Sequence, residues 1–151
     1  MTPPASPRKP TAGERLRLRQ ASSASDGQLH TTVSRRLVES MLRAGWVYGE
    51  DPDGFRLIDA DTLGPSGVAY WKITCSGRWA ALTRAQRRTL LALADEDGDG
   101  GGQVRDVGLT TAAVQVLVRY GLAADNAPHR PVRRTPLGTR VVTACAAGPD
   151  A

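Results

Sequence analysis

The sequence predicts an α+β fold made of two related halves that share one compact core, preceded by a disordered basic arm. Two observations carry that expectation. First, the stretch from Val33 to Val47 and the stretch from Leu109 to Ala123 follow one pattern. Val33, Leu37, Val38, Met41 and Leu42 lead into Arg43-Ala44-Gly45-Trp46-Val47, and Leu109, Ala113, Val114, Leu117 and Val118 lead into Arg119-Tyr120-Gly121-Leu122-Ala123. The apolar positions coincide one for one and recur with the helical period of about 3.6 residues. Second, each stretch is followed by a Thr-x-x-Gly, at Thr74 to Gly77 and at Thr135 to Gly138. A helix, a glycine stop, a hairpin and a Thr-x-x-Gly, given twice, describe a binding scaffold better than an active site.

Taken in order, residues 1–28 are rich in Pro, Ser, Ala and Arg and form the expected arm. Within it, Arg15-Leu16-Arg17-Leu18-Arg19 alternates in a way that suits a short edge strand or the start of a helix. The first half, residues 29–80, opens with a helix from Thr31 or Thr32, whose outward face carries Arg35, Arg36, Glu39 and Arg43. Gly45 supplies a left-handed stop. Strands are expected at Phe55 to Ile58 and at Val68 to Thr74, separated by turn clusters at Gly49 to Gly54 and Leu63 to Gly67.

The second half, residues 81–145, begins with a capping box, Thr83-Arg84-Ala85-Gln86, for a helix through Leu90, Leu91, Leu93 and Ala94. Asp95 to Gly102 ends that helix, and Val104 to Val107 make a brief strand. Thr110 or Thr111 starts the repeated helix and Gly121 closes it. A short hairpin follows through Asp125-Asn126 and His129 to Arg134, and residues 146–151 fray.

The order helix, short strand, helix, glycine stop, basic hairpin and Thr-x-x-Gly resembles the winged helix-turn-helix of bacterial transcription regulators, in particular the MarR-like pattern. The residues that carry the resemblance are Leu122 to Ala124, Arg130 to Thr135 and Gly138, with Ile73, Thr74, Gly77 and Arg78 in the first half. It spans residues 82–141, and 31–80 in part. The resemblance implies a repeated helix in the DNA major groove and a wing that touches phosphate or minor groove. It also implies transcription regulation by binding to double-stranded DNA, without catalysis. The sequence departs from the pattern in showing no helix ahead of Thr31 and no long terminal helices for dimerisation. Winged scaffolds also serve as protein-interaction or structural modules, which is the alternative reading, and a protein partner or homodimer belongs with it.

Charge agrees with an anionic partner. The 151 residues hold 20 Lys and Arg against 15 Asp and Glu, a net charge of +5, with an isoelectric point near 9.9. The two repeated helices differ outside: the first carries Arg35, Arg36 and Arg43, while the second carries Thr111, Ala112, Gln115 and Val116 ahead of Arg119. Base contacts are therefore expected from Thr32, Arg35 and Arg36 at the first helix, with Arg43 on the same DNA-binding face. Phosphate contacts are expected from Arg84, Arg87 and Arg88 on the capped helix and from Arg130, Arg133 and Arg134 on the second hairpin.

Other chemistries find little footing. Asp95, Asp97, Asp99 and Gly100 imitate the start of an EF-hand loop, but Gly102 and Asp106 depart from its ligand pattern, so the run is read as an acidic connector and no metal is expected. His30 and His129 have no metal-ligand spacing. Gly64-Pro65-Ser66-Gly67-Val68 misses the nucleophile elbow at its last glycine, and no P-loop is present, so no cofactor and no catalytic residue is expected. Trp46 and Trp79 read as core. Cys75 and Cys145 stand in no C-x-x-C pair and read as buried, inert thiols of a cytoplasmic protein. No apolar run approaches the length of a membrane span.

Overall fold

The computed structural model describes residues 8–57, 68–94, 111–125 and 132–145. It is an α+β protein with six helices and two small antiparallel hairpins among those residues. The chain divides into two compact units, Met1–Ala81 and Leu82–Ala151, each with buried apolar residues of its own.

The first unit begins with a helix the sequence reading placed in a disordered arm. Thr11 is extended and its hydroxyl accepts the Glu14 N–H, while Glu14 Oε1 accepts the Thr11 N–H at 2.9 Å, and this capping box starts α1 (Ala12–Ser23). The buried positions of α1 are Glu14, Leu18, Ala21 and Ser22. They follow helical spacing, but two of them are polar, so the inward face did not show as a hydrophobic stripe. Of the two alternatives for Arg15 to Arg19, an edge strand or the start of a helix, the helix is the one that forms.

α2 (Arg35–Arg43) starts three or four residues later than the expected Thr32 or Thr31, because Ser34 is the N-cap, its hydroxyl accepting the Leu37 N–H. Val38 and Met41 are buried, and Val33, Leu37 and Leu42 pack in part against the same core. β1 (Val47–Glu50) pairs antiparallel with β2 (Tyr70–Ile73), from Val47 opposite Ile73 to Glu50 opposite Tyr70, and Gln28 adds a bridge to Lys72. The strand expected over Phe55 to Ile58 reduces to one bridge, Arg56 to Glu50. There Asp51 Oδ1 accepts the N–H groups of Asp53 and Phe55 and closes a tight turn; Ile58 lies outside the described residues. α3 (Cys75–Ala80) ends the unit. Its core gathers Leu18, Ala21, Leu29, Val38, Met41, Trp46, Val47 and Ile73 with Ala80 and Ala81.

The second unit runs α4 (Arg84–Ala92), α5 (Thr111–Arg119), β3 (Ala123–Ala124), β4 (Arg133–Arg134) and α6 (Pro136–Cys145). The capping box of Thr83 and Gln86 forms as expected, but α4 stops at Ala92, with Leu93 as its C-cap, short of Ala94. Leu90, Leu93, Val114, Leu117, Leu122 and Val141 are among its buried residues, and α4 packs on α5 and α6. Of the positions expected to be buried in the repeated helix, Val118 is 38% exposed, since α5 leaves that side uncovered. Leu109 and Val104 to Val107 lie outside the described residues. β3 pairs antiparallel with β4, and Ala94 bridges to Arg133.

The repeat extends to individual hydrogen bonds. Gly45 and Gly121 both take positive φ, +78° and +70°, a region open to glycine at little cost. The next N–H reaches back to the helix in each unit, Trp46 to the Met41 carbonyl and Leu122 to the Leu117 carbonyl. The Thr74 hydroxyl donates to the Gly45 carbonyl and accepts the Gly77 N–H; the Thr135 hydroxyl donates to the Gly121 carbonyl at 2.5 Å and accepts the Gly138 N–H. A Cβ at Gly77 would collide with the Trp46 carbonyl oxygen, and one at Gly138 with the Leu122 carbonyl oxygen. The Thr-x-x-Gly thus opens a helix, α3 or α6, and lets that helix lie directly on the glycine stop. Among the described residues both units therefore read helix, helix, strand, strand, helix.

Candidate nucleic-acid interface

Burial of Val38 and Met41 turns the other side of α2 outward, and Arg35, Arg36 and Arg43 are exposed there. Arg36 and Arg43 are seven residues apart, two turns, and so share a line along the helix. Arg35 is tied to Glu39 by an ion pair of 3.1 Å at the i,i+4 spacing, and with Arg35 73% exposed this pair contributes little to stability. Thr32 is not on the helix. It lies in the turn before it, exposed, its N–H donating to His30 Nδ1 and its hydroxyl 2.7 Å from the same nitrogen.

A cluster that the sequence reading missed stands beside α2. Arg8 grips the Glu14 carboxylate with two parallel bonds, Nη1 to Oε1 at 2.8 Å and Nη2 to Oε2 at 2.7 Å. Its Nη2 also donates to the Ser40 hydroxyl and carbonyl, and the Ser40 hydroxyl donates to Glu14 Oε2 at 2.9 Å. The Arg8 guanidinium lies over the Trp46 ring at 4.5 Å. The Arg8 bonds, ahead of the smaller Thr11 and Ser40 ones, hold the Glu14 carboxyl down at about 2 against the opposing effect of burial. The cluster joins the segment before α1, α1 itself and α2. Its signal in the sequence was Thr11-Ala12-Gly13-Glu14, the capping-box pattern.

The first hairpin is not cationic. Lys72 pairs with Glu50 at 3.3 Å, Arg56 lies over the Tyr48 ring at 4.7 Å, and Asp51 and Asp53 form the turn. Burial, ahead of the neighbouring Glu50 charge, raises the Tyr48 hydroxyl pKa. Phe55, the one phenylalanine of the chain, is 70% exposed at this turn.

In the second unit Arg84 and Arg88 are exposed on α4 and Arg87 is half-buried, while Arg133 and Arg134 are half-buried on β4 opposite Ala124 and Ala123. Asp125 is the single carboxylate among the described residues of that unit, against Arg84, Arg87, Arg88, Arg119, Arg133, Arg134 and Arg140. Arg130 and His129 lie outside the described residues, as do the Asp95, Asp97, Asp99 and Asp106 positions. The structure thus places the expected α2 arginines together on one unit and the α4 and β4 arginines on the other.

Among the described residues no cluster of three or more His, Cys, Asp or Glu is placed to hold a metal ion, and no helix is long and apolar enough to cross a membrane. Trp46 and Trp79 are buried, in keeping with the core reading, and Trp71 is half-buried. Cys75 and Cys145, expected to be buried, are half-buried free thiols: Cys75 opens α3, and Cys145 is the last residue of α6. Comparison with known protein families, with curated protein sequences and with solved structures returned no match.

Proposed function

We propose that the protein is a small DNA-binding protein of winged-helix-like build, acting in transcription regulation by binding and without catalysis. The observation that carries this reading is α2: its inner side is buried in the core of its unit, and its outer side presents Arg35, Arg36 and Arg43. The helix runs through a glycine stop into an antiparallel hairpin, as a groove-entering helix runs toward a wing. In this reading Arg35 and Arg36 reach base edges, with Thr32 in the turn ahead of them. Arg84, Arg87, Arg88, Arg130, Arg133 and Arg134 hold phosphates.

A salt-dependent mobility shift with mixed genomic DNA tests the reading. Arg35→Ala with Arg36→Ala should weaken specific binding and blur sequence preference, each lost base contact being worth about 1 to 3 kcal/mol. Arg133→Ala with Arg134→Ala should weaken all sequences alike. No retention of duplex at low salt and micromolar protein would sink the reading. A protein-interaction module is the second reading, with the exposed Phe55 as the side chain to test for a contact. Phe55→Ser should leave DNA binding intact and abolish a protein contact made there.

A further inference from the structure

The second unit repeats the element order and the capping bonds of the first, so it separates what that build needs from what it does not. The cluster of Arg8, Glu14, Ser40 and Trp46 is not needed. Aligned on the capping boxes and glycine stops, Glu14 corresponds to Gln86, Ser40 to Val116 and Trp46 to Leu122, and Ala80 stands where Arg8 would be, three residues before the capping threonine. Both charges of the cluster are gone there, yet α4 is capped and Leu122 is buried. A charged network that amide and apolar residues can replace is weak support for a fold, so another role has to account for it.

The cluster occurs in the unit that has the basic helix face. α2 carries Arg35, Arg36 and Arg43, whereas α5 has Thr111 and Ala112 at the first two of these positions and Arg119 at the third. Geometry connects the two features. Ser40 follows Arg36 by four residues and precedes Arg43 by three, so the three are neighbours on the surface of α2. Arg8 Nη2 donates to both the hydroxyl and the carbonyl of Ser40, at 2.9 and 3.2 Å, and Arg8 Nη1 reaches the Lys9 carbonyl at 3.5 Å. Beyond Lys9 the chain is fixed as well: Pro10 has its φ set by its ring, and Thr11 caps α1 together with Glu14, the carboxylate that Arg8 holds. Lys9, exposed, is thus pinned between two residues that meet at Glu14. Because Glu14 takes up the charge of Arg8, Lys9 is the cation this segment adds beside α2.

We propose that Lys9 is a phosphate contact beside the basic face of α2, and that Arg8, bonded to Glu14 and Ser40, is the positioning residue that holds it there before nucleic acid arrives. This rests on the DNA-binding reading above and extends its surface to the segment ahead of α1.

The test uses the full chain and a labelled mixed-sequence duplex, with affinity measured across a salt series. Lys9→Gln should flatten the slope of log affinity against log salt by about 0.9, one phosphate contact, and weaken all sequences alike. The clamp is removed by giving the first unit the residues of the second, Arg8→Ala with Glu14→Gln and Ser40→Val, which leaves the net charge unchanged and an amide to complete the cap. This triple variant should keep its helical circular-dichroism signal but bind more weakly, because the segment must then be ordered on binding. Adding Lys9→Gln to it should cost less than in the wild type, since the two changes act on one contact. A wild-type slope in Lys9→Gln overturns the proposal and leaves the DNA reading in place. An equal loss from Lys9→Gln with and without the clamp overturns the positioning role of Arg8. Where the triple variant does not fold, Arg8→Lys, which keeps the charge and loses the two-pronged grip, takes its place in the same comparison. If the wild-type protein retains no duplex, the underlying reading fails before any variant is made.

Discussion

A carboxylate that is 1% exposed has to be held by donors, and Glu14 accepts from the Thr11 N–H, from both Arg8 Nη groups and from the Ser40 hydroxyl. Its pKa falls from 4.5 to about 2. A depressed carboxylate stabilises the fold above its unfolded pKa, and that contribution is lost as the pH falls through the folded value. Glu14 therefore supports the first unit above about pH 4.5 and ceases to do so on acidification toward pH 2. The full shift corresponds to about 3 kcal/mol as an upper bound, lessened by solvent screening at Arg8, which is 42% exposed. The second unit has Gln86 at the corresponding place, where the amide keeps the cap. Glu14→Gln should accordingly keep α1 capped, lose the Arg8 pair and remove this part of the acid sensitivity. Denaturant unfolding of both proteins across that pH range checks it, and parallel curves would mean that Glu14 carries no such charge-dependent stability.

At the scale of elements, the two kinds of shared glycine have different physics and should respond differently to alanine. Gly45 and Gly121 have positive φ, and a Cβ there meets nothing within 4 Å. Alanine at either costs only the backbone strain, about 1 kcal/mol. At Gly77 and Gly138 the Cβ would run into a backbone carbonyl oxygen that cannot step aside without moving the glycine stop. Gly77→Ala or Gly138→Ala should cost about 3 kcal/mol, the upper end of overpacking penalties. Thermal unfolding of the single variants decides it. Equal losses at both kinds of site would contradict the close approach of α3 and α6 to the stops.

For the whole molecule, the division into two units of the same element order predicts that residues 1–81 and 82–151, produced separately, each keep helical far-ultraviolet signal and unfold cooperatively. Chains of this size bury a smaller share of their surface than the whole, so lower unfolding midpoints are expected. A coil spectrum for either fragment would show that it does not fold alone.

What the sequence determined by itself is what lies in local chemistry. The helical spacing of Val38 and Met41 and of Val114 and Leu117, the glycine stops, and the capping box of Thr83 and Gln86 all depend on residues close together in the chain, and all appear in the structure. The outward placement of Arg35, Arg36 and Arg43 follows from the same periodicity. Tertiary structure alone decided the rest. α1 has a buried face that is half polar, so its stability rests on Arg8 and Ser40, the latter 26 residues from Glu14, and no hydrophobic pattern announces it. The Thr-x-x-Gly pairs were legible as repeats, but their meaning lay in a hydroxyl reaching across the hairpin, from Thr74 to Gly45 and from Thr135 to Gly121. Val118, apolar and in register with buried neighbours, is exposed because burial depends on what the rest of the chain brings to that side, and helical period marks a face without supplying its cover.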